Sequence, residues 1–326
     1  MYKIKILDKW SVGAQGSYRA EIASRDRDPR LRAVVSDLCV EAGCTRRISG
    51  SYIVGVKGAL DIYRQNCDLT FYNPINDINT YPLTGLGTVY RRFAGNSNEA
   101  TGYQADGVRA GAQVIPTGDH GFNCSIDYFH ERLEQRLRDY NNLTLARVAH
   151  SSIEGLLSYT FRLNSGVGVV PSVKVVSDTR RGSENLFGTA IGSGYDVIGE
   201  RDNYRRSCTL VSASVPGEFS RGASRLFFTP SVTGTKVSCR VIDVDRRVSV
   251  SGLTPGLLAG YSAVVRQGMI LQGGLSVDYT FNDAPASGNN LETQLPDITE
   301  TGLAQSVLSN YDMLRADRRC VALQCG

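Results

Sequence analysis

The chain has 326 residues, of which 41% are hydrophobic and 21% charged, and its formal net charge is +4. This balance is too polar for a helical membrane protein and too apolar for a disordered chain. Basic and acidic residues are mixed along the sequence, so no basic patch predicts a nucleic-acid partner. No linker or composition break divides the chain, which predicts a single domain over residues 1–326.

The first ten residues lack the apolar core of a signal peptide. Two alternatives follow: the protein is cytosolic, or the chain is an incomplete version of a longer precursor. Apolar and polar residues then alternate over residues 10–22, and the same alternation returns over residues 51–62 and 157–164. Because successive strand side chains point to opposite faces, each segment predicts a strand with one apolar and one polar face.

Weaker alternation predicts further strands, which bring the total to about 14. They lie near residues 31–46, 83–94, 103–116, 122–137, 167–178, 186–200, 205–215, 224–233, 235–247, 254–266 and 313–326. Residues 248–265 carry little charge, but their glycines and Pro255 favour a turn entering a strand over a transmembrane helix. Tight turns at 118–121 and 266–268 contrast with long polar connections at 64–82 and 282–312, a difference typical of outer-membrane barrels.

The clearest alternation runs from Gly268 to Phe281, and its length suits a tilted strand that crosses a bilayer, which needs roughly 9 to 11 residues. We predict that its outward side carries Met269, Leu271, Leu275, Val277, Tyr279 and Phe281, and its inner side Gln272, Ser276 and Asp278. The predicted fold is an all-β, antiparallel, up-and-down transmembrane β-barrel of about 14 strands, complete or incomplete. Over the whole chain, the predicted lumen-facing residues are Arg19, Lys57, Asp61, Arg162, Gln272 and Asp278.

Catalytic and metal-binding signatures are not found in the sequence. The three histidines, His120, His130 and His150, have no accompanying nucleophile motif, and the eight cysteines lack the spacing of zinc ligands. We therefore expect no enzyme, no cofactor and no metal, and we interpret the cysteines as small apolar fillers. Paired arginines recur, and solvated strand ends or lumen-facing charge are favoured over an anionic ligand site; the pairs lie at 46–47, 91–92, 180–181, 205–206, 246–247 and 318–319.

Several short motifs resemble an uncharacterised family of Bacteroidota outer-membrane β-barrel proteins. They include Ser17-Tyr-Arg-Ala20, Arg27-Asp-Pro-Arg30, Val35-Ser-Asp-Leu38, Tyr63-Arg-Gln65, Leu83-Thr-Gly-Leu-Gly87, Tyr90-Arg-Arg-Phe93, Ser251-Gly-Leu-Thr-Pro-Gly256 and Leu314-Arg-Ala-Asp-Arg-Arg319. The resemblance spans most of the chain and implies an outer-membrane location, with no catalytic residues to carry over. That family has a signal peptide and additional N-terminal sequence, so we expect this chain to be an N-terminally incomplete member. We also expect a few C-terminal residues to be missing.

The leading prediction is an integral outer-membrane barrel in contact with outer-membrane lipid. Its role would be porin-like transport or support of an uptake complex. A soluble secreted or virion-type β-sandwich that serves as an interaction or structural protein is the alternative. A barrel enzyme is the third possibility, and it would require the histidines to meet a nucleophile and an acid at one rim.

Overall fold

The computed structural model describes residues 2–7, 9–27, 30–70, 83–85, 88–93, 100–164, 166–191, 194–243, 245–266, 269–283 and 316–325. Fifteen strands form one sheet, and all their pairings are antiparallel. They are β1 (Tyr2–Leu7), β2 (Trp10–Ser24), β3 (Arg30–Ser49), β4 (Tyr52–Thr70), β7 (Ala100–Pro116), β8 (Gly121–Leu137), β9 (Leu143–Asn164), β10 (Val167–Val169), β11 (Ser172–Ile191), β12 (Gly194–Ser214), β13 (Gly217–Arg221), β14 (Ser224–Val241), β15 (Arg246–Arg266), β16 (Met269–Asp283) and β17 (Arg318–Cys325). A separate small hairpin pairs β5 (Leu83–Gly85) with β6 (Thr88–Val89).

Prolines interrupt the sheet at two places, so that at each place a short and a long strand together occupy one strand position. Both β10 and β11 pair with β9, and Pro171 lies in the break between them. Both β12 and β13 pair with β14, with Pro216 in the break. Proline has no N–H to donate to a ladder, which explains why regular pairing stops there. If each interrupted pair is counted once, the 15 strands occupy 13 strand positions. This is close to the predicted number of about 14.

The strand positions follow one another in chain order, and the sheet is an up-and-down β-barrel, as predicted. Several details of the strand prediction are wrong. The described part of 83–94 holds two very short strands and a 3₁₀ turn at Arg91–Phe93, and residues 186–191 and 194–200 belong to two different strands, β11 and β12. Residues 224–241 form one strand, residues 248–265 lie wholly inside β15, and neither β1 nor residues 143–156 of β9 were predicted. No helix among the described residues is long and apolar enough to span a membrane.

The connections sort into two rims. At one rim, successive strands are joined by two to four residues, as in the turn between Pro116 and Gly121. The other rim carries the two longest connections, between β4 and β7 and between β16 and β17. β4 continues to Thr70, so the predicted loop 64–82 begins later than expected. The rest of that loop, most of the predicted loop 282–312 and the turn residues 267–268 lie outside the described residues.

The register gives the sheet one apolar and one polar face. Directly opposed residues of antiparallel strands share a face. Val56 of β4 pairs with Cys44 and Ala112, while its neighbour Lys57 pairs with Gly43 and Gly111. Large apolar side chains on the first face are exposed along the whole sheet. They include Val12, Tyr18, Val56, Leu60, Val108, Ile126, Leu157, Val175, Val211, Val232, Leu253, Leu257, Leu275 and Val277.

A small apolar core packs at the long-connection rim. It consists of Tyr90, Phe93, Leu137, Leu145 and Phe187, with Tyr140 and Tyr195 against its edge. The rings contact one another at tilted or edge-on angles, for example Phe93 and Tyr195 at 5.5 Å between centroids and 87°. Burial raises the pKa of the Tyr90 phenol to about 12. We call the segment Tyr90–Phe93 the cap.

The cap covers an exposed strand edge. β11 pairs with β9 only as far as Glu184, whereas its pairing with β12 continues to Ile191. Beyond Glu184 one edge of β11 therefore lacks a partner strand, which leaves carbonyl groups that need donors. The Tyr90 hydroxyl donates to the carbonyl oxygen of Asn185. The Arg92 guanidinium donates to those of Phe187 and Gly188, each at 2.5 Å.

Replacing Arg92 with methionine should loosen the end of the β11–β12 hairpin, because two carbonyl groups lose their charged donor. We expect a loss of about 1–3 kcal/mol locally, measured as faster amide hydrogen exchange at residues 186–191. Tyr90→Phe removes one hydrogen bond but keeps the ring, so its effect should be smaller. Arg221→Met at the opposite rim is the control. Unchanged exchange in Arg92→Met would refute the role of the cap.

Candidate functional site: the charged inner wall

The polar face of the sheet is concave. A recess of about 430 Å³ on this face is lined from six consecutive strands, β3, β4, β7, β8, β9 and β11. Its lining includes the acidic and basic residues Glu41, Lys57, Arg109, Asp127, Glu154 and Asp178, together with His150. A Cβ added at Gly43 or Gly111 of the polar face would lie within 3 Å of neighbouring atoms, whereas one at Gly16 or Gly155 of the apolar face would meet nothing within 4 Å. Side chains crowd on the inside of a curved sheet and spread apart on its outside. The polar face is therefore the inner wall of the barrel, and the apolar face points outward.

Two of the predicted inner residues form ion pairs between strands. Arg19 lies opposite Asp37, with its Nη2 3.2 Å from Oδ2. Arg109 Nη2 donates to Asp61 Oδ1 at 3.0 Å, and Arg109 Nε lies at an ion-pair distance of 2.7 Å from Oδ2 without a hydrogen bond. The carboxylate of Asp61 is the more enclosed partner, at 14% exposure.

The third predicted residue, Lys57, reaches across an entire strand. Its register partner is Gly111 of β7, whose own partner on β8 is Asp127. The Lys57 ammonium lies 2.7 Å from the Asp127 carboxylate. A Cβ at Gly111 would lie 2.4 Å from that carboxylate and 2.6 Å from Lys57 Cε. The absence of a side chain at Gly111 therefore allows the pair to form.

His150 is the centre of a second charged group. Its Nδ1 lies 2.9 Å from Glu131 Oε1, and its Nε2 contacts the carboxylate of Asp178. Asp178 also accepts from Arg206 at 3.1 Å. These residues come from four strands, and their positions in sequence show no motif. The sequence analysis missed Glu131, Asp178 and Arg206 as members of a site, since only the strand register reveals them.

Aromatic contacts join the two charged groups. The Arg109 guanidinium lies over the Phe129 ring at 5.3 Å, and that ring meets His150 edge-on at 5.2 Å. A continuous line of contacts thus crosses β4, β7, β8, β9, β11 and β12, and it contains Asp61, Arg109, Phe129, His150, Asp178 and Arg206.

The remaining predicted residues lie apart from this line. Arg162 is at the short-turn rim, where it bonds Asp119 at 2.7 Å. Gln272 and Asp278 share the polar face of β16, opposite Ser262 and Gly256. Asp278 accepts from Ser276 at 3.2 Å. The six predictions therefore describe a long wall rather than one pocket.

The histidines needed for a barrel enzyme occupy three separate places. His120 lies in the turn at the short-connection rim. His130 shares the outward face with Val108 and Ser151, and its Nδ1 lies 2.9 Å from the Ser151 hydroxyl. His150 is on the inner wall. The structure does not bring them together at one rim.

Charge on the inner wall is balanced within short distances, and Lys174 with Glu154, at 2.6 Å, adds a further pair. A wall of alternating sign does not build up a strong potential of one sign. Within the described ranges, no group of His, Cys, Asp and Glu side chains has the arrangement of a metal site. Cys39, Cys44, Cys67, Cys124, Cys208, Cys239 and Cys320 have free thiols.

The comparisons with known proteins identify a family without an assigned role. A profile described as "Family of unknown function (DUF6850)" matches residues 1–324. The chain belongs to this family. No curated protein matches it.

Among solved structures, the chain is similar to the crystal structure of the β domain of the Bordetella autotransporter BrkA. The sequence identity is 13%, the match covers 85% of this chain and 92% of that one, and the TM-score is 0.35. So low a score supports no conclusion about function, and the barrel architecture rests on the register of this chain itself.

Gly111→Ala should destabilise the barrel, because the new methyl group would overlap the Lys57–Asp127 pair. We expect a loss of about 1–3 kcal/mol, typical of overpacking, measured as a lower unfolding temperature in detergent. Gly155→Ala is the control, since a Cβ there has open space. Shortening Lys57 to alanine in the Gly111→Ala background should recover part of the loss. Equal stability of the two glycine variants would contradict the packing described.

Proposed function

We propose that this protein is an integral outer-membrane β-barrel whose charged inner wall faces a polar passage, in a porin-like transport role. Its exposed outward apolar face is the observation that carries the proposal. In hydrocarbon every backbone polar group needs an internal partner, and an antiparallel barrel provides one. The assignment to Bacteroidota outer membranes comes from the sequence resemblance and is part of the proposal.

The outward face has the extent of a membrane belt. On β15 it carries Leu253, Pro255, Leu257, Ala259, Tyr261 and Ala263, which pair with outward residues of β14 and β16. These residues span ten positions, or roughly 33 Å along the strand. With the usual tilt of roughly 35–45°, this length corresponds to the belt of about 25 Å in outer-membrane barrels.

A soluble β-sandwich, the alternative fold, would bury these apolar residues instead of exposing them. A sandwich packs the apolar faces of two sheets against each other. Here the described apolar face is exposed on strand after strand, and the buried apolar residues are few. An exposed apolar surface of this extent needs a partner, and acyl chains suit a continuous belt.

The two rims support an orientation. Outer-membrane barrels have short periplasmic turns and longer extracellular loops. The rim with two- to four-residue connections would then face the periplasm. The cap and the two longest connections would lie on the cell surface, where components of an uptake complex could bind.

Fractionation tests the location. The protein produced with an export signal should appear in the outer-membrane fraction and migrate faster on gels before boiling than after it. Recovery as a soluble monomer without detergent would refute the proposal.

Liposome swelling tests the transport role. Liposomes that contain the barrel should swell in small neutral sugars if the inner wall lines a passage. An intact barrel with no swelling would favour an accessory role.

Leu257→Arg and Leu258→Arg form a matched pair for the outward face. Leu257 points outward and is 50% exposed, while its neighbour Leu258 faces the inner wall opposite Ser276. An arginine on the lipid face near the bilayer midplane costs about 2–4 kcal/mol, and an inner arginine costs far less. We expect Leu257→Arg alone to lower the folding free energy in lipid vesicles by this amount. Equal effects of the two variants would contradict an outward lipid face.

A further inference from the structure

The outward face carries a row of arginines on its side toward the long-connection rim. Arg181, Arg205, Arg240 and Arg247 are successive register partners on β11, β12, β14 and β15. All four side chains are exposed. We call these four residues the arginine row.

The arginine row places like charges next to one another, which destabilises the sheet in the absence of bound anions. Neighbouring strands lie about 4.8 Å apart, and like charges placed directly opposite each other destabilise a sheet. Arg240 pairs with Asp245 at 2.6 Å, and Arg205 has Asp202 at 3.5 Å. For Arg181 and Arg247, the described part of the chain shows no carboxylate within ion-pair distance. Anions from outside the protein would relieve the repulsion.

The residues between the apolar belt and the arginine row are mostly hydroxyl-bearing. The nearest row consists of Thr179, Ser207, Ser238 and Ser249, and the next consists of Ser177, Thr209, Lys236 and Ser251. The row after that, Val175, Val211, Gly234 and Leu253, belongs to the apolar belt. This order of apolar, hydroxyl and cationic residues matches the passage from acyl chains through the interface to charged headgroups.

Three of the recurrent arginine pairs divide between the two faces. Arg181 points outward and Arg180 inward, and Arg205 points outward and Arg206 inward, because adjacent strand residues alternate. In the same way Arg247 is outward and Arg246 inward. The inner members Arg180 and Arg206 lie 3.8 Å and 3.1 Å from Asp178. The inward charge of β11 and β12 thus has an internal partner.

We infer that the arginine row binds the phosphate groups of outer-leaflet lipid headgroups. Guanidinium groups bind phosphate through two parallel hydrogen bonds, and adjacent arginines on neighbouring strands are close enough to share one phosphate. The hydroxyl rows below would accept and donate hydrogen bonds at the glycerol or sugar level. This inference rests on the proposed membrane insertion.

The test compares two double variants with the same loss of charge on the same strands. Arg181→Gln/Arg205→Gln removes outward arginines, and Arg180→Gln/Arg206→Gln removes the inward ones beside them. Each protein, purified in uncharged detergent, is titrated with bisphosphorylated lipid A and, separately, with phosphatidylcholine. Native mass spectrometry counts the bound lipids. Heat-modifiable gel migration verifies the barrel in each case.

We expect the outward variant to bind lipid A at least roughly tenfold more weakly, because charge-assisted hydrogen bonds are lost. The inward variant should bind like the unmodified protein, and phosphatidylcholine should bind all three weakly. Equal lipid A binding by the two variants would overturn the inference. So would full competition by millimolar inorganic phosphate, since the site would then be a general phosphate site.

Failure of the proposed function is distinguishable from failure of the inference. If the unmodified protein shows no heat-modifiable barrel, membrane insertion itself is refuted. If it forms a barrel but the outward variant keeps its lipid A, only the arginine row is refuted. Should a double variant fail to fold, Arg181→Gln with Arg180→Gln as its control gives the same comparison.

Discussion

The antiparallel register is the constraint on which the rest of the structure depends. Each backbone ladder satisfies the N–H and C=O groups of two strands and places opposed residues on one face. A shift of one residue would exchange the inner and outward sets of a strand. Over β2, β3, β4 and β7 the pairing runs with scarcely a break, as from Trp10 with Arg46 to Asp68 with Ala100. The belt, the inner wall and the arginine row are all products of this alignment.

Where the ladder ends, backbone groups of neighbouring segments or side chains take the place of the missing strand partners. At Pro171 and Pro216 the breaks are bridged by hydrogen bonds of neighbouring residues, such as Val170 N–H to the Pro216 carbonyl at 2.8 Å. Past Glu184, the cap supplies a phenol and a guanidinium to the open edge of β11. At this edge, Tyr90 and Phe93 of the cap also pack with Leu137, Leu145 and Phe187 to form the small apolar core.

Local alternation predicts much of the fold but little of the site. The strands at 10–22, 51–62 and 268–281 were recognised because period two is a property of adjacent residues. The ends of strands were less predictable. For example, β14 continues through Gly234 and Thr235, where the polarity pattern weakens. Arg19, Lys57, Asp61, Gln272 and Asp278 could be assigned to the polar face in the same way. Partners such as Asp127 for Lys57 depend on which strands are neighbours, and single residues carry no such information. The arginine pairs show this most clearly, because their division between two faces becomes visible only across four strands.

The single tryptophan, Trp10, tests the central claim that the apolar face contacts lipid. It lies on the outward side of β2 near the short-connection rim, opposite Arg46, whose guanidinium lies 5.1 Å from the ring. Tryptophan is common at the membrane interface. In vesicles of lipids brominated on their acyl chains, its fluorescence should be quenched, and more strongly by bromines near the headgroups than by bromines near the bilayer centre. Fluorescence insensitive to brominated lipid but quenched by aqueous acrylamide would contradict a lipid-facing outward surface.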